Sequence, residues 1–231
     1  MEENEVKEIL YNMGADLCGI ASIDRFGDAP EGFHPCDVLP SCKSVVVFAK
    51  KFPVGTLHCM TTVPYTITRN MLSDKLDKMS VQFCDRMEER GIIAVPTGTI
   101  SHNQYDEKTD RWRSIVSAKH CAVAAGLGRI GKNTLVITPE FGNMIWLNAV
   151  LTDAILEPDK MLSGSPCKEG CSACIDNCPV QALDSPAMNQ QACHAYAFNT
   201  DAGEEFKFKC HKCRTICPSC LGSKNAHLKP T

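Results

Sequence analysis

Nine of the chain's fifteen cysteines crowd between residues 167 and 220, in two runs that each end in Cys-Pro. The first run is Cys167-x3-Cys171-x2-Cys174-x3-Cys178-Pro179. The second is Cys193, then Cys210-x2-Cys213-x3-Cys217-Pro218, with 16 residues between Cys193 and Cys210. Crowding of this kind has two chemical explanations, disulfides or metal. The chain opens MEENEVKEIL, without the basic region, apolar stretch or twin arginine of an export signal. The cysteine count is also odd. In a reducing compartment such crowding means metal ligation, and a cytoplasmic location is expected.

The spacing narrows the metal. Two-cluster bacterial ferredoxins use C-x2-C-x2-C-x3-C-P, and the last cysteine of each run ligates the other cluster. Three cysteines on a tight loop hold three irons of one cube. A short helix starting at Cys-Pro carries the fourth thiolate across, and proline suits a first turn that needs no amide donor. On this crossed pattern one [4Fe–4S] cluster takes Cys167, Cys171, Cys174 and Cys217. The other takes Cys178, Cys193, Cys210 and Cys213. The first gap is x3 instead of x2, and Cys193 lies far upstream of its partners, so these two are the ligands that depart most from the pattern. Four-cysteine zinc sites also use C-x2-C pairs, but not two tandem C-x2-C-x3-C-P runs. Cys220 is left over. Cys18, Cys36, Cys42, Cys59, Cys84 and Cys121 are scattered and read as buried or loop residues.

The other 160 residues have a different texture. With 231 residues, 44% of them hydrophobic, the chain suits one ordinary domain or two small ones. Its net charge of −3 gives no strong pull toward nucleic acid. No run of about 18 apolar residues exists, so no membrane span is expected. Residues 3–15 read as a helix with Val6, Ile9, Leu10 and Met13 on one face. LCGIA at 17–21 and VVVFA at 45–49 read as strands. Leu72, Leu76, Met79, Phe83 and Met87 mark a helix over 70–90, capped by Gly91. A strand at 92–95 follows, then a polar loop over 97–112, an Ala-rich helix over 114–125, and strands at 135–138 and 144–151. Alternating helices and strands predict an α/β (α+β) N-terminal domain over 1–160, followed by a two-cluster ferredoxin-like domain over 161–231. The boundary falls near 157–165.

Gly126-Leu-Gly128-Arg-Ile-Gly131 matches G-x-G-x-x-G, yet a dinucleotide site needs a strand before the glycines and a helix after them. Here the order is reversed. The glycines make a tight helix-to-strand turn, or their backbone approaches another ligand together with Lys132 and Asn133. Asp106, Glu107 and Asp110 form an acidic loop that reads as solvated. His102, His120, His194, His211, Tyr105 and Tyr196 are proton donors by type, with packing as the default reading. Lys119, Lys132, Lys207, Lys209 and Lys212 offer a basic face to an acidic electron donor, or simply a solvated surface.

AGLGRIGKNTLVI, followed by the two-run cysteine array, resembles the epoxyqueuosine reductase family. MGADLCGIA and LPSCKSVVVFAKKFP are similar to N-terminal segments of the same family. The resemblance implies a cobalamin-binding α/β domain beside a ferredoxin-like domain, as in reductive dehalogenases. Electrons would pass through two clusters to the cobalt, and a protein acid would supply a proton. It makes Gly126, Gly128, Gly131, Lys132 and Asn133 candidate cofactor-binding residues. The family's D-[ST]-A-P-V-L-E-like segment has no counterpart: its register falls on Trp112 and Arg113, and Asp110 nearby is the nearest candidate acid. The expected function is an iron–sulfur oxidoreductase delivering electrons to a site in the N-terminal domain. The alternative is a ferredoxin-type electron-transfer protein without a substrate of its own. A ferredoxin or flavodoxin is the expected donor, and a small molecule the expected substrate. A missing helical-repeat extension and the acidic balance predict that tRNA is not a partner.

Overall fold

Apolar periodicity writes the first elements. The computed structural model describes residues 2–99, 103–107, 111–183, 188–198 and 207–228. Helix α1 (Glu3–Asn12) buries Val6 and Leu10, four apart on one face. Strand β1 (Leu17–Ser22), the short helix α2 (Pro35–Val38) and strand β2 (Ser44–Lys51) follow. Every residue of β2 from Ser44 to Ala49 is buried, as its unbroken VVVFA run requires of a strand covered on both faces. Helix α3 (Val63–Glu88) starts several residues before the periodic stretch, and strand β3 (Ala94–Pro96) follows it.

The predicted loop over 97–112 is partly a hairpin, made of β4 (Asn103–Asp106) and β5 (Arg111–Ser114), with Tyr105 opposite Trp112. NQYD and RWRS carry no apolar face, so periodicity gives no sign of them. Next come α4 (Ala118–Ala124), the two-residue strands β6 (Arg129–Ile130) and β7 (Val136–Ile137), and β8 (Ile145–Thr152). The cysteine-rich segment holds only short helices: α5 (Ala173–Asp176), α6 (Gln190–Ala197), α7 (Lys212–Thr215) and α8 (Gly222–Asn225). Among the described residues no helix is long and apolar enough to cross a membrane.

The chain divides into two units. The first comprises Met1–Lys51, Leu72–Arg129 and Trp146–Ser163. Its four-stranded sheet has the order β1-β2-β8-β3, with β1 antiparallel to β2 and β3 antiparallel to β8. Val6 and Leu10 of α1, Leu76, Met79, Phe83 and Met87 of α3, and Ile20, Val46, Phe48 and Val150 of the sheet share one core. This is the mixed α/β layer that the alternation predicts.

The second unit comprises Phe52–Met71, Ile130–Ile145 and Gly164–Thr231. The chain last passes from the first unit to the second at Ser163–Gly164. Two earlier segments, which the sequence reading places with residues 1–160, also belong to the second unit. Backbone bonds tie one of them to the cysteine segment: the amides of Asn143 and Met144 donate to the Cys220 carbonyl at 3.0 and 3.2 Å. Aromatic packing ties in the other, with Tyr65 stacked on Phe52 and edge-on to Phe208.

Candidate metal centre

The two cysteine runs build the same local object twice. Helix α5 carries Cys174 at its second position and α7 carries Cys213 at its second position, and the two helices pack together. Each run then turns on itself after its Cys-Pro: the amide of Gln181 donates to the Cys178 carbonyl at 3.1 Å, and that of Cys220 to the Cys217 carbonyl at 3.0 Å.

Cys167, Cys171 and Cys174 of the first run and Cys217 of the second line one cavity, with about 350 Å³ of empty space counting the solvent at its mouth. Among the described residues no three cysteine, histidine or carboxylate side chains stand close enough together to hold a single metal ion. The four cysteines line this cavity together with Lys132, Asn133, Pro166, Pro218 and Ser219. The donor set is all sulfur, which suits iron–sulfur chemistry.

The electrostatics show which of these cysteines lie near one another. Burial pushes the Cys174 thiol up, and Cys167 and Cys171 push it further. Burial raises Cys217 too, with Cys220, Cys167 and Cys174 adding to it while the amide of Ser219 opposes. Cys193 is raised by burial, then by Cys210 and Cys178. Burial lifts Cys213 to about 11; Arg214 pulls it down, while Cys193, Cys210 and then Cys174 push it up. So Cys193, far upstream in sequence, stands within the field of Cys178, Cys210 and Cys213. The raised groups, Cys174, Cys193, Cys213 and Cys217, hold their protons more tightly than free thiols, and a coordinated metal ionises such groups outright.

Amide donors point at two sulfurs. The backbone N–H of Lys132 donates to Cys167 Sγ at 3.4 Å, and that of Ala182 to Cys178 Sγ at 3.2 Å. Lys132 Nζ donates to the Cys171 carbonyl at 2.7 Å. Asn133, buried, donates through Nδ2 to the Cys213 carbonyl at 3.2 Å and accepts from the amide of Leu135 at 3.2 Å. A Cβ at Gly131 would lie 3.5 Å from Cys167 Sγ. Three of the five candidate cofactor residues therefore sit against the cysteine loops.

The other two glycines serve the first unit. Gly126 ends α4 at φ 73°, with its amide donating to the Val123 carbonyl and that of Leu127 to the Ala122 carbonyl, the double closure of a left-handed helix cap. A Cβ there would stand 2.4 Å from the Lys160 carbonyl oxygen. The chain's own backbone fills the space that glycine opens. Gly128 is buried in the following turn.

Asp110 and His102 lie outside the described residues. Asp106 accepts from Arg113 Nε at 2.9 Å, so the acidic loop is ion-paired in part. His120 is held down by burial, then by Lys119 and Arg113, and shares a 2.7 Å hydrogen bond with the Ser117 hydroxyl. His194 stacks on Phe198 and His211 on Tyr65. Tyr196 is exposed. None of the fifteen cysteines forms a disulfide, and Cys18 and Cys121 are buried thiols raised to about 12, chiefly by desolvation.

Two residues the sequence reading missed complete the centre. Arg214 is buried and donates to the Asn143 carbonyl, while Asn143 Nδ2 donates back to the Arg214 carbonyl at 3.2 Å. Arg214 was visible only as the residue after a ligand cysteine. Asn143 carried no signal.

No family profile matches the chain. It is 26% identical over 281 residues to the epoxyqueuosine reductase of Bacillus subtilis, an alignment covering 99% of this chain and 66% of that one. It is 31% identical over 254 residues to that of Staphylococcus aureus, covering 95% and 65%. The chain thus spans just under two thirds of the length of these curated relatives. Among solved structures it resembles an epoxyqueuosine reductase with an epoxyqueuosine-modified tRNA stem loop (TM-score 0.63, 22% identity, 99% of this chain and 68% of that one). It also resembles a reductive dehalogenase whose structure suggests a mechanism for B12-dependent dehalogenation (TM-score 0.63, 16% identity, 92% and 31%). These likenesses establish the fold. The first overturns the expectation against tRNA: a mildly acidic charge balance is no argument when a protein of this fold, matched along 99% of this chain, is solved with a tRNA stem loop.

Proposed function

The chain is a relative of the epoxyqueuosine reductases, and from that premise we propose that it is an oxidoreductase carrying two [4Fe–4S] clusters. One is held by Cys167, Cys171, Cys174 and Cys217, and the other by Cys178, Cys193, Cys210 and Cys213. The observation that carries the proposal is the set of four cysteines from two separate runs that line a single cavity. When bound, the clusters supply one-electron transfer. The protein's own groups do the rest. The amides of Lys132 and Ala182 donate to ligand sulfurs, which stabilises thiolate and holds each loop in place. Asn133 bonds the loop carrying Cys213, and so links the segment at the first cavity to a ligand of the second set. Ligands held as thiolates require a reducing compartment, which supports a cytoplasmic location.

The substrate we propose is the one the relatives are named for, epoxyqueuosine in tRNA. A corrinoid is the cofactor that the likeness to a B12-dependent dehalogenase adds. The candidate glycines and Lys132 and Asn133 are already engaged within the protein, so its site would be made by other residues of the first unit. Anaerobic titration with cobalamin, read by absorption, tests it, and an unchanged spectrum removes it from the proposal.

The direct test is iron and sulfide analysis of anaerobically reconstituted protein, expected at about eight of each per chain. Cys217→Ala should lower the iron content by about half. Cys84→Ala, in the first unit and outside both sets, should leave it unchanged. Stoichiometric zinc in place of iron, or equal losses in the two variants, would overturn the assignment. Single-turnover reduction of an epoxyqueuosine-modified stem loop by dithionite-reduced protein tests the substrate.

A further inference from the structure

Resting on the two-cluster reading, we propose that Arg214 is the buried counter-charge of the cluster held by Cys178, Cys193, Cys210 and Cys213. Arg214 directly follows a ligand, Cys213, and is 5% exposed. A guanidinium stays charged at any pH the protein meets, so burying one demands compensation. What surrounds it supplies only part. Its N–H donates to the backbone carbonyl of Asn143, and its guanidinium lies 5.8 Å from the centre of the Phe52 ring. Among the described residues no carboxylate pairs with it. Without metal, the molecule carries a buried cation facing a carbonyl dipole and an aromatic ring. Four thiolates around a cube of irons bring the missing negative charge to the neighbouring residue. The Asn143 clamp is reciprocal: its Nδ2 returns a hydrogen bond to the Arg214 carbonyl at 3.2 Å, which fixes the arginine backbone beside Cys213. Its own Oδ1 is buried without a partner.

A fixed cation near a cluster favours the more negative, reduced state, and so raises the reduction potential. The effect is strong because the charge is buried, where solvent and salt screen it little. Lys132, exposed at the mouth of the other cavity, is expected to act much more weakly.

The experiment compares wild type, Arg214→Met and Arg214→Lys, each reconstituted anaerobically. Dye-equilibrated redox titration followed by electron paramagnetic resonance reads each cluster. In Arg214→Met the ratio of reduced to oxidised cluster at a fixed poise should fall at least tenfold for one of the two, about 59 mV for a one-electron couple. Arg214→Lys should stay within about threefold of wild type. Metal-free Arg214→Met should unfold in urea at a midpoint no lower than metal-free wild type, since it loses an uncompensated buried charge. Unchanged potentials for both clusters overturn the inference. So does a metal-free Arg214→Met that is less stable than metal-free wild type, which would make the arginine a structural clamp. A wild-type chain that takes up no iron and sulfide overturns the two-cluster reading and this inference together, whereas loaded wild type with an indifferent Arg214→Met overturns only the latter.

Discussion

At the scale of the residue, the cysteines of this chain do two opposite jobs, and burial alone does not tell them apart. Cys121 and Cys18 are buried thiols in the first unit, kept protonated chiefly by desolvation, with Cys42 adding to it at Cys121, and raised to about 12 from an ordinary 9.0. Between those values the unfolded chain releases protons that the folded chain retains. The unfolded state then binds fewer protons, so stability is intact below pH 9 and falls as pH rises toward 12. Cys121→Ala should flatten that decline, as read by urea midpoints of metal-free protein at successive alkaline pH values. An undiminished slope would show that Cys121 is not its source. The proposed ligand cysteines stand out in the sequence because cluster geometry imposes fixed spacings along the chain. Cys193, detached by 16 residues from Cys210, is assigned by counting ligands. Arg214 and Asn143 were not legible. Their importance lies in a reciprocal backbone clamp between residues 71 apart, and no local pattern encodes such a pairing.

Elements were legible to the degree that they bury an apolar face. VVVFA announced β2, and Leu76 to Met87 announced the buried part of α3. The first turns of α3, from Val63, escaped because their packing partners belong to the second unit. The β4–β5 hairpin escaped because its strands are polar and short. The glycine motif was legible by order alone: helix first, strand second, hence a cap and not a dinucleotide loop. That reading makes a specific demand. Gly126→Ala places a Cβ at φ 73° and 2.4 Å from the Lys160 carbonyl oxygen. The left-handed conformation alone costs roughly 1–2 kcal/mol, and backbone crowding adds to it. The variant should lose at least about 1 kcal/mol in urea unfolding while its iron content stays at the wild-type level. A loss of iron without a loss of stability would return the glycine to a ligand-binding role.

At the scale of the molecule, the two units draw on different sources of stability. The first has a sheet, two long helices and a shared apolar core. The second holds its cysteine segment in helices of four to eight residues, lengths at which helices do not sustain themselves. Metal binding to the folded form alone then becomes folding free energy. Anaerobic calorimetry before and after chelation should show one transition falling sharply and the other nearly unmoved. Equal shifts, or none, would deny the second unit its dependence on metal. The change of texture after residue 158 was visible in composition. What composition cannot show is that residues 52–71 and 130–145 belong with the cysteines, because membership of a unit is decided by contacts across the chain.

That threading has a consequence in time. A ribosome adding about 5–20 residues per second delivers all of the first unit once Ser163 has emerged. The segments 52–71 and 130–145 must then wait, on the order of seconds, for partners such as Phe208, Arg214 and Cys220 that are still to be made. During this interval Phe52, Tyr65 and Met144, all buried in the finished protein, have no finished core to enter. On the two-cluster proposal, iron would therefore meet a nascent chain whose first unit is fully made and whose second is not. On the two-cluster proposal, cluster insertion would be a late step of biosynthesis.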